Sequence, residues 1–81
     1  MTFIMIEIYG TDDCVFCDRA KELLQMYEKE YTYIDVAESE VMTSAFLKKF
    51  PGVRTVPQLT LSDGHHIGGY TELKKWLNHS E

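Results

Sequence analysis

Cysteine is too scarce in this chain for a disulfide-built fold. Only Cys14 and Cys17 occur among 81 residues, and a bridge across two intervening residues would close too small a loop to stabilise much chain. Proline is also scarce, and no Pro/Gly/Ser-rich stretch, internal repeat or low-complexity segment divides the sequence, so residues 1–81 are expected to form a single, monomeric domain. No apolar run approaches the length that crosses a bilayer, so no membrane association is expected. The opening Met1-Thr2-Phe3-Ile4-Met5 lacks the basic n-region and long h-region of a signal peptide, which points to the cytoplasm. Positive charge is in deficit: 8 Lys and Arg against 13 Asp and Glu leave a net charge of −5. Phosphate binding needs clustered cations, so nucleic acid is not an expected partner. The charge reads mainly as a solubility feature, with selection of basic partner surfaces as a secondary use.

Both cysteines lie in one run, Cys14-Val15-Phe16-Cys17, between an apolar stretch and a helical pattern. In a reducing cytoplasm such a pair is catalytic or metal-binding rather than structural. At a strand-to-helix junction the first sulfur meets unpaired backbone N–H groups and the helix dipole, which favour a thiolate. The second lies one turn on, within reach of a disulfide. A dithiol redox site is therefore the leading expectation.

The surrounding pattern predicts that junction. Phe3 to Tyr9 reads as a nearly continuous apolar strand of the kind covered on both faces. Gly10-Thr11-Asp12-Asp13 is a loop, with Asp12 or Asp13 as the expected cap of a helix from Val15 to about Glu28. Its apolar face holds Cys17, Ala20, Leu23, Leu24 and Tyr27, which buries Cys17 more than Cys14, while Asp18 to Glu22 read as a solvated face. Tyr31 to Val36 is a second strand, with Tyr31 and Tyr33 on one sheet face or its rim. Ser39 caps a second helix to about Phe50, with Met42, Ala45, Phe46 and Phe50 at helical spacing, and Pro51-Gly52 ends it. Pro57 to Leu61, the turn Ser62-Asp63-Gly64 and His65 to Ile67 form a hairpin that Gly68-Gly69 breaks. Thr71 is the expected cap of a last helix to about Asn78, packed through Leu73, Trp76 and Leu77. The order β-α-β-α-β-β-α implies an α/β fold: a four-stranded mixed sheet, its first βαβ unit parallel and its final hairpin antiparallel, with helices on both faces.

With these residues in place the chain resembles the glutaredoxins, of the thioredoxin-fold family, and its short length and His66-Ile67-Gly68-Gly69-Tyr70 ending resemble the phage-encoded ones. Four features carry the resemblance across almost the whole chain: Cys14-Val15-Phe16-Cys17 after the first strand, Thr55-Val56-Pro57 opening the third, Gly68-Gly69-Tyr70 after the fourth, and the element order. It implies a thioredoxin-like fold and thiol–disulfide exchange, with Cys14 as nucleophile and Cys17 as resolving thiol. Pro57 would be a cis-proline facing the disulfide, leaving the Val56 backbone to pair with bound peptide or glutathione. Thr55 belongs to the same segment. Gly69, Tyr70 and Thr71 would hold the γ-glutamyl end of glutathione at a helix start, and Phe16 would supply an aromatic wall.

The resemblance implies no tightly bound cofactor, glutathione as co-substrate, and protein disulfides such as that of ribonucleotide reductase as substrates. Electrons would come from glutathione or from a thioredoxin reductase. Val15 stands where the family usually has proline, Thr11 where it often has lysine, and Thr71 where many members have aspartate. Asp12 and Asp13 oppose both an anionic ligand and a Cys14 thiolate; Lys21 and Arg54 are the candidate replacement cations.

Three other readings use the same residues. Cys14 and Cys17 could bind zinc with His65 or His66, although adjacent strand histidines point to opposite faces and at most one could join them. A glutaredoxin can share an iron–sulfur cluster between two subunits. The fold can also serve as a non-enzymatic adaptor. His65, His66 and His79 are read as solvent-facing, and Trp76, Phe46 and Tyr27 as core residues.

Overall fold

Ile6 and Ile8 alternate with Glu7 and Tyr9 along the first strand, β1 (Ile6–Gly10), and this alternation sets the layering of the molecule. A computed structural model describes residues 5–53 and 55–80. The expected start of β1 at Phe3 and Ile4 lies outside the described residues, as does Arg54. After β1 come α1 (Val15–Met26), β2 (Tyr31–Asp35), α2 (Glu40–Lys49), β3 (Gln58–Leu61), β4 (His66–Gly68) and α3 (Tyr70–Ser80). The sheet order is β2-β1-β3-β4, so β1 is central as its apolar run requires. β1 pairs parallel with β2, in register Ile6 to Tyr31, and antiparallel with β3, in register Ile6 to Leu61. β3 and β4 form the antiparallel hairpin, with a register irregularity at Leu59 and Thr60.

α1 and α3 cover one face. There Ala20, Leu24, Leu73 and Leu77 pack with Ile6, Ile8, Leu59 and Leu61, and Tyr31, Tyr33, Tyr27 and Trp76 close the margins. A fully buried aliphatic side chain of this kind contributes about 1.5–3 kcal/mol. α2 covers the other face through Phe46 and Phe50, which pack with Val36, Tyr9, Val53 and Val56. Ala45, expected among the inward residues of α2, is exposed, whereas Phe46 one position on is buried. Ser39 caps α2 as expected, its Oγ accepting from the Met42 N–H at 3.2 Å.

α1 ends two residues before the predicted Glu28. Lys29 N–H donates to the Leu24 carbonyl and Glu28 N–H to the Gln25 carbonyl, with Glu28 at φ 56°. This is the Schellman closure, here made by a residue with a side chain where glycine is usual. Among the described residues, no helix is long and apolar enough to cross a membrane.

Candidate active site

β1 ends at Gly10, and the loop through Thr11, Asp12 and Asp13 delivers Cys14 to the position just before α1. Asp12 and Asp13 do not cap that helix. Cys14 is itself the N-cap, and its Sγ accepts the Cys17 backbone N–H at 3.0 Å. Sulfur takes the place of the carboxylate oxygen because the extended backbone at Cys14 turns its side chain over the first helical turn. A donor fixed on this sulfur favours its anionic form over the thiol.

Cys14 and Cys17 are disulfide-bonded, with Cα atoms 5.1 Å apart. Cys17 is fully buried and Cys14 only half-buried, so solvent and substrate reach the first sulfur. Gly10 makes room for the second: a Cβ there would stand 2.6 Å from Cys17 Sγ and 2.7 Å from the Tyr33 hydroxyl. That hydroxyl donates to the Thr11 carbonyl at 2.8 Å and so braces the loop before Cys14. Burial raises the Tyr33 pKa, helped by the charges of Asp35, Asp12 and Asp18, which keeps the donor protonated. Lys21, one of the two candidate replacement cations, lies over the Tyr33 ring at 3.7 Å from its centroid.

The segment Thr55-Val56-Pro57 approaches this pair through the backbone of Val56. The Val56–Pro57 peptide is cis, and the Val56 carbonyl oxygen lies 3.7 Å from Cys14 Sγ. The segment is held from behind by Gln58, whose side-chain amide donates to the Thr55 carbonyl at 3.1 Å and to Thr55 Oγ1 at 3.3 Å. The remaining amide oxygen lies 2.8 Å from His66 Nε2 and accepts from it. His66 also packs on Phe50, ring centroids 4.7 Å apart. It is solvent-facing, as expected, and its contacts with Gln58 and Phe50 also make it an indirect support of the loop. His65 and His79 are exposed. Among the described residues, no group of three or more His, Cys, Asp and Glu side chains gathers to hold a metal, so neither His65 nor His66 joins the cysteines.

Phe16, Thr55, Val56, Pro57, Gly69, Tyr70 and Thr71 line one cavity of about 200 Å³. These are all of the non-cysteine site residues expected from sequence. The Phe16 and Tyr70 rings form its wall at 5.8 Å between centroids, with the Arg19 guanidinium 5.4 Å from the first ring and the Lys74 ammonium 5.9 Å from the second.

Thr71 is not the cap of α3. The Leu73 N–H donates to the Gly69 carbonyl, so the helix begins two residues earlier than expected and Gly69 is its cap. Gly69 has no side chain to offer, and Glu72 reaches back to accept the Gly69 N–H at 2.8 Å. This is the return half of a capping box. Gly68, at φ 121°, passes so close that a Cβ would stand 2.8 Å from the Glu72 side chain. Glu72 completes the cavity lining and was missed from sequence, although its spacing from Gly69 is the capping-box signal.

Residues 6–67 match the family pattern described as Glutaredoxin. Glutaredoxin 1 of Salmonella typhimurium is 43% identical over 76 residues, covering 85% of this chain and 85% of the relative. The glutaredoxin of Enterobacteria phage T4 is 30% identical over an 87-residue alignment, covering 90% of this chain and 99% of the relative. Among solved structures, the buckwheat glutaredoxin–glutathione complex superposes with a TM-score of 0.77 at 24% identity, covering 95% of this chain and 71% of that one, a likeness of fold.

Proposed function

The chain belongs to the glutaredoxin family, and we propose that Cys14 is its attacking thiolate, Cys17 its resolving thiol and glutathione its co-substrate. It is a thiol–disulfide oxidoreductase with a disulfide-forming cysteine pair. In the reduced enzyme the Cys14 thiolate attacks a substrate disulfide, forming a mixed disulfide and expelling one substrate thiolate. Cys17 then attacks Cys14 Sγ, which releases the second substrate thiol and closes the Cys14–Cys17 disulfide. Two glutathione molecules restore the dithiol and leave as glutathione disulfide, so two electrons pass from glutathione through the enzyme to the substrate in each cycle. The working compartment is a reducing one, taken as the cytoplasm.

The observation that carries glutathione is the chemistry at the end of the small cavity. The Gly69 N–H and the Glu72 carboxylate stand side by side there, in the lining that also includes Val56. A backbone N–H at a helix start suits a carboxylate, and a carboxylate suits an ammonium. An α-amino acid terminus carries both, as the γ-glutamyl end of glutathione does. When its carboxylate takes the Gly69 N–H, Glu72 is released toward its ammonium. The same cavity chemistry serves glutathione mixed disulfides, while protein disulfides, with that of ribonucleotide reductase as the family-based candidate, use the dithiol route.

Cys17→Ser tests the assignment. The variant should lose reduction of protein disulfides by at least about a hundredfold and retain reduction of the cysteine–glutathione mixed disulfide, which needs only Cys14. Loss of both activities refutes the roles. Turnover supported by thioredoxin reductase but not by glutathione with glutathione reductase refutes glutathione as the electron source.

A further inference from the structure

The small cavity lies on one flank of Val56. On the other lies a recess of about 700 Å³, with Val36, Phe46, Leu47, Val53 and Val56 as its apolar wall and Thr11 at its rim. Val56 is common to both recesses, and its carbonyl oxygen is 3.7 Å from Cys14 Sγ. The reactive sulfur therefore sits between two sites of opposite chemistry. One is narrow and ends on an N–H and a carboxylate; the other is more than three times larger and mostly aliphatic and aromatic.

Glutathione can satisfy only the first. Beyond its cysteine it has a single glycine, which has no side chain and ends in a carboxylate, and the loop beside Thr11 carries the exposed Asp12 and Asp13. The exposed Val15 and Phe16 extend the apolar surface around Cys14. A polypeptide bound in the same direction as glutathione, extended along Val56, advances about 3.3 Å per residue and so reaches the larger recess within two residues after its half-cystine.

We infer that this recess is the subsite for a large apolar side chain placed one or two residues C-terminal to the half-cystine of a polypeptide disulfide substrate. The inference rests on Cys14 as nucleophile and on the Val56 edge as the pairing surface. It names the substrate class the two flanks select together: protein disulfides whose half-cystine is followed by a bulky aliphatic or aromatic residue. Burial of one such side chain in an open recess is worth about tenfold in rate constant.

The test uses pre-reduced enzyme in single turnover, which removes any dependence on the electron source. Its substrates are symmetric disulfide dimers of blocked peptides Ser-Ser-Cys-Leu-Leu, Ser-Ser-Cys-Ser-Ser and Leu-Leu-Cys-Ser-Ser, with the cysteine–glutathione mixed disulfide alongside. Acid quench and chromatography give second-order rate constants. The first peptide should react about tenfold faster than the second, and the third should resemble the second. Leu47→Glu, which charges the recess, and Ala37→Phe, which fills it from an exposed position, should each reduce that ratio to below about threefold. Equal rates for the first two peptides, or a ratio unchanged in both variants, overturn the subsite while leaving turnover of the glutathione disulfide intact. Failure of the enzyme on every disulfide overturns the Cys14 reading together with it.

Discussion

The two faces of the sheet solve the problem of burial differently. Toward α1 and α3 the strands present Ile6, Ile8, Leu59 and Leu61, and the facing helices answer with Ala20, Leu24, Leu73 and Leu77, all aliphatic. Toward α2 the alternate positions are Glu7, Tyr9, Gln58 and Thr60, and among the described residues the buried apolar cluster there is Val36, Phe46 and Phe50. The polar positions on that face satisfy one another. Thr60 donates to Glu7 at 3.0 Å, Tyr9 to Glu7 at 3.4 Å, and Gln58 links Thr55 to His66. No fully buried side-chain polar atom among the described residues lacks a partner. The aliphatic face holds the molecule together and anchors buried Cys17. The polar face holds the Thr55–Val56–Pro57 segment in place and leaves the recess beside α2 open.

The largest effect should come from breaking the first face. Leu24→Ala removes a fully buried side chain and should cost about 2–5 kcal/mol in urea unfolding. Thr60→Val, equally central but on the other face, deletes one hydrogen bond while Glu7 keeps Tyr9, and should cost about 0.5–1.5 kcal/mol. Equal costs would mean that the two faces are not energetically distinct.

Gly10→Ala probes the point where the aliphatic face meets the chemistry. A methyl group there must displace Cys17 Sγ or the Tyr33 hydroxyl, so a loss of about 1–3 kcal/mol is expected. Because Cys17 is the displaced partner, reduction of protein disulfides should slow more than reduction of glutathione mixed disulfides. A parallel fall in both would show that the methyl group disturbs Cys14 instead.

Most of the architecture was legible because hydrophobic period and turn residues are local signals. The β-α-β-α-β-β-α order, the central place of β1 and the burial of Cys17 follow from spacing alone. What escaped depends on partners distant in sequence or on which of several donors and acceptors meet. Asp12 and Asp13 are good capping residues, yet the Cys14 sulfur occupies that position. Thr71 is a good capping residue too, but the helix starts before it, and Glu72 supplies the oxygen. His66 reads as an exposed hairpin residue, and only the fold brings it against Gln58 and Phe50. The larger recess has no motif at all, since it is the space left between α2, the end of β2 and the loop before β3.

The smallest effect separates the faces by pH. Tyr9 and Tyr33 both have pKa values raised above the ordinary value, Tyr9 by burial and then the charge of Glu7, Tyr33 by burial and then Asp35, Asp12 and Asp18. A phenol whose folded-state pKa is raised favours the protonated folded protein. Its contribution is full below the unfolded value of about 10 and is lost as pH climbs through the higher folded one. Stability should therefore fall on the alkaline side of about pH 10, and Tyr9→Phe or Tyr33→Phe should each flatten part of that fall. Glu7→Gln removes the charge beside Tyr9 without touching the carboxylates near Tyr33. It should flatten the alkaline slope further in the Tyr33→Phe background, where Tyr9 carries the slope, and leave it nearly unchanged in Tyr9→Phe. An equal response in the two backgrounds would show that Glu7 acts on both faces of the sheet, and the electrostatic separation between them would fail.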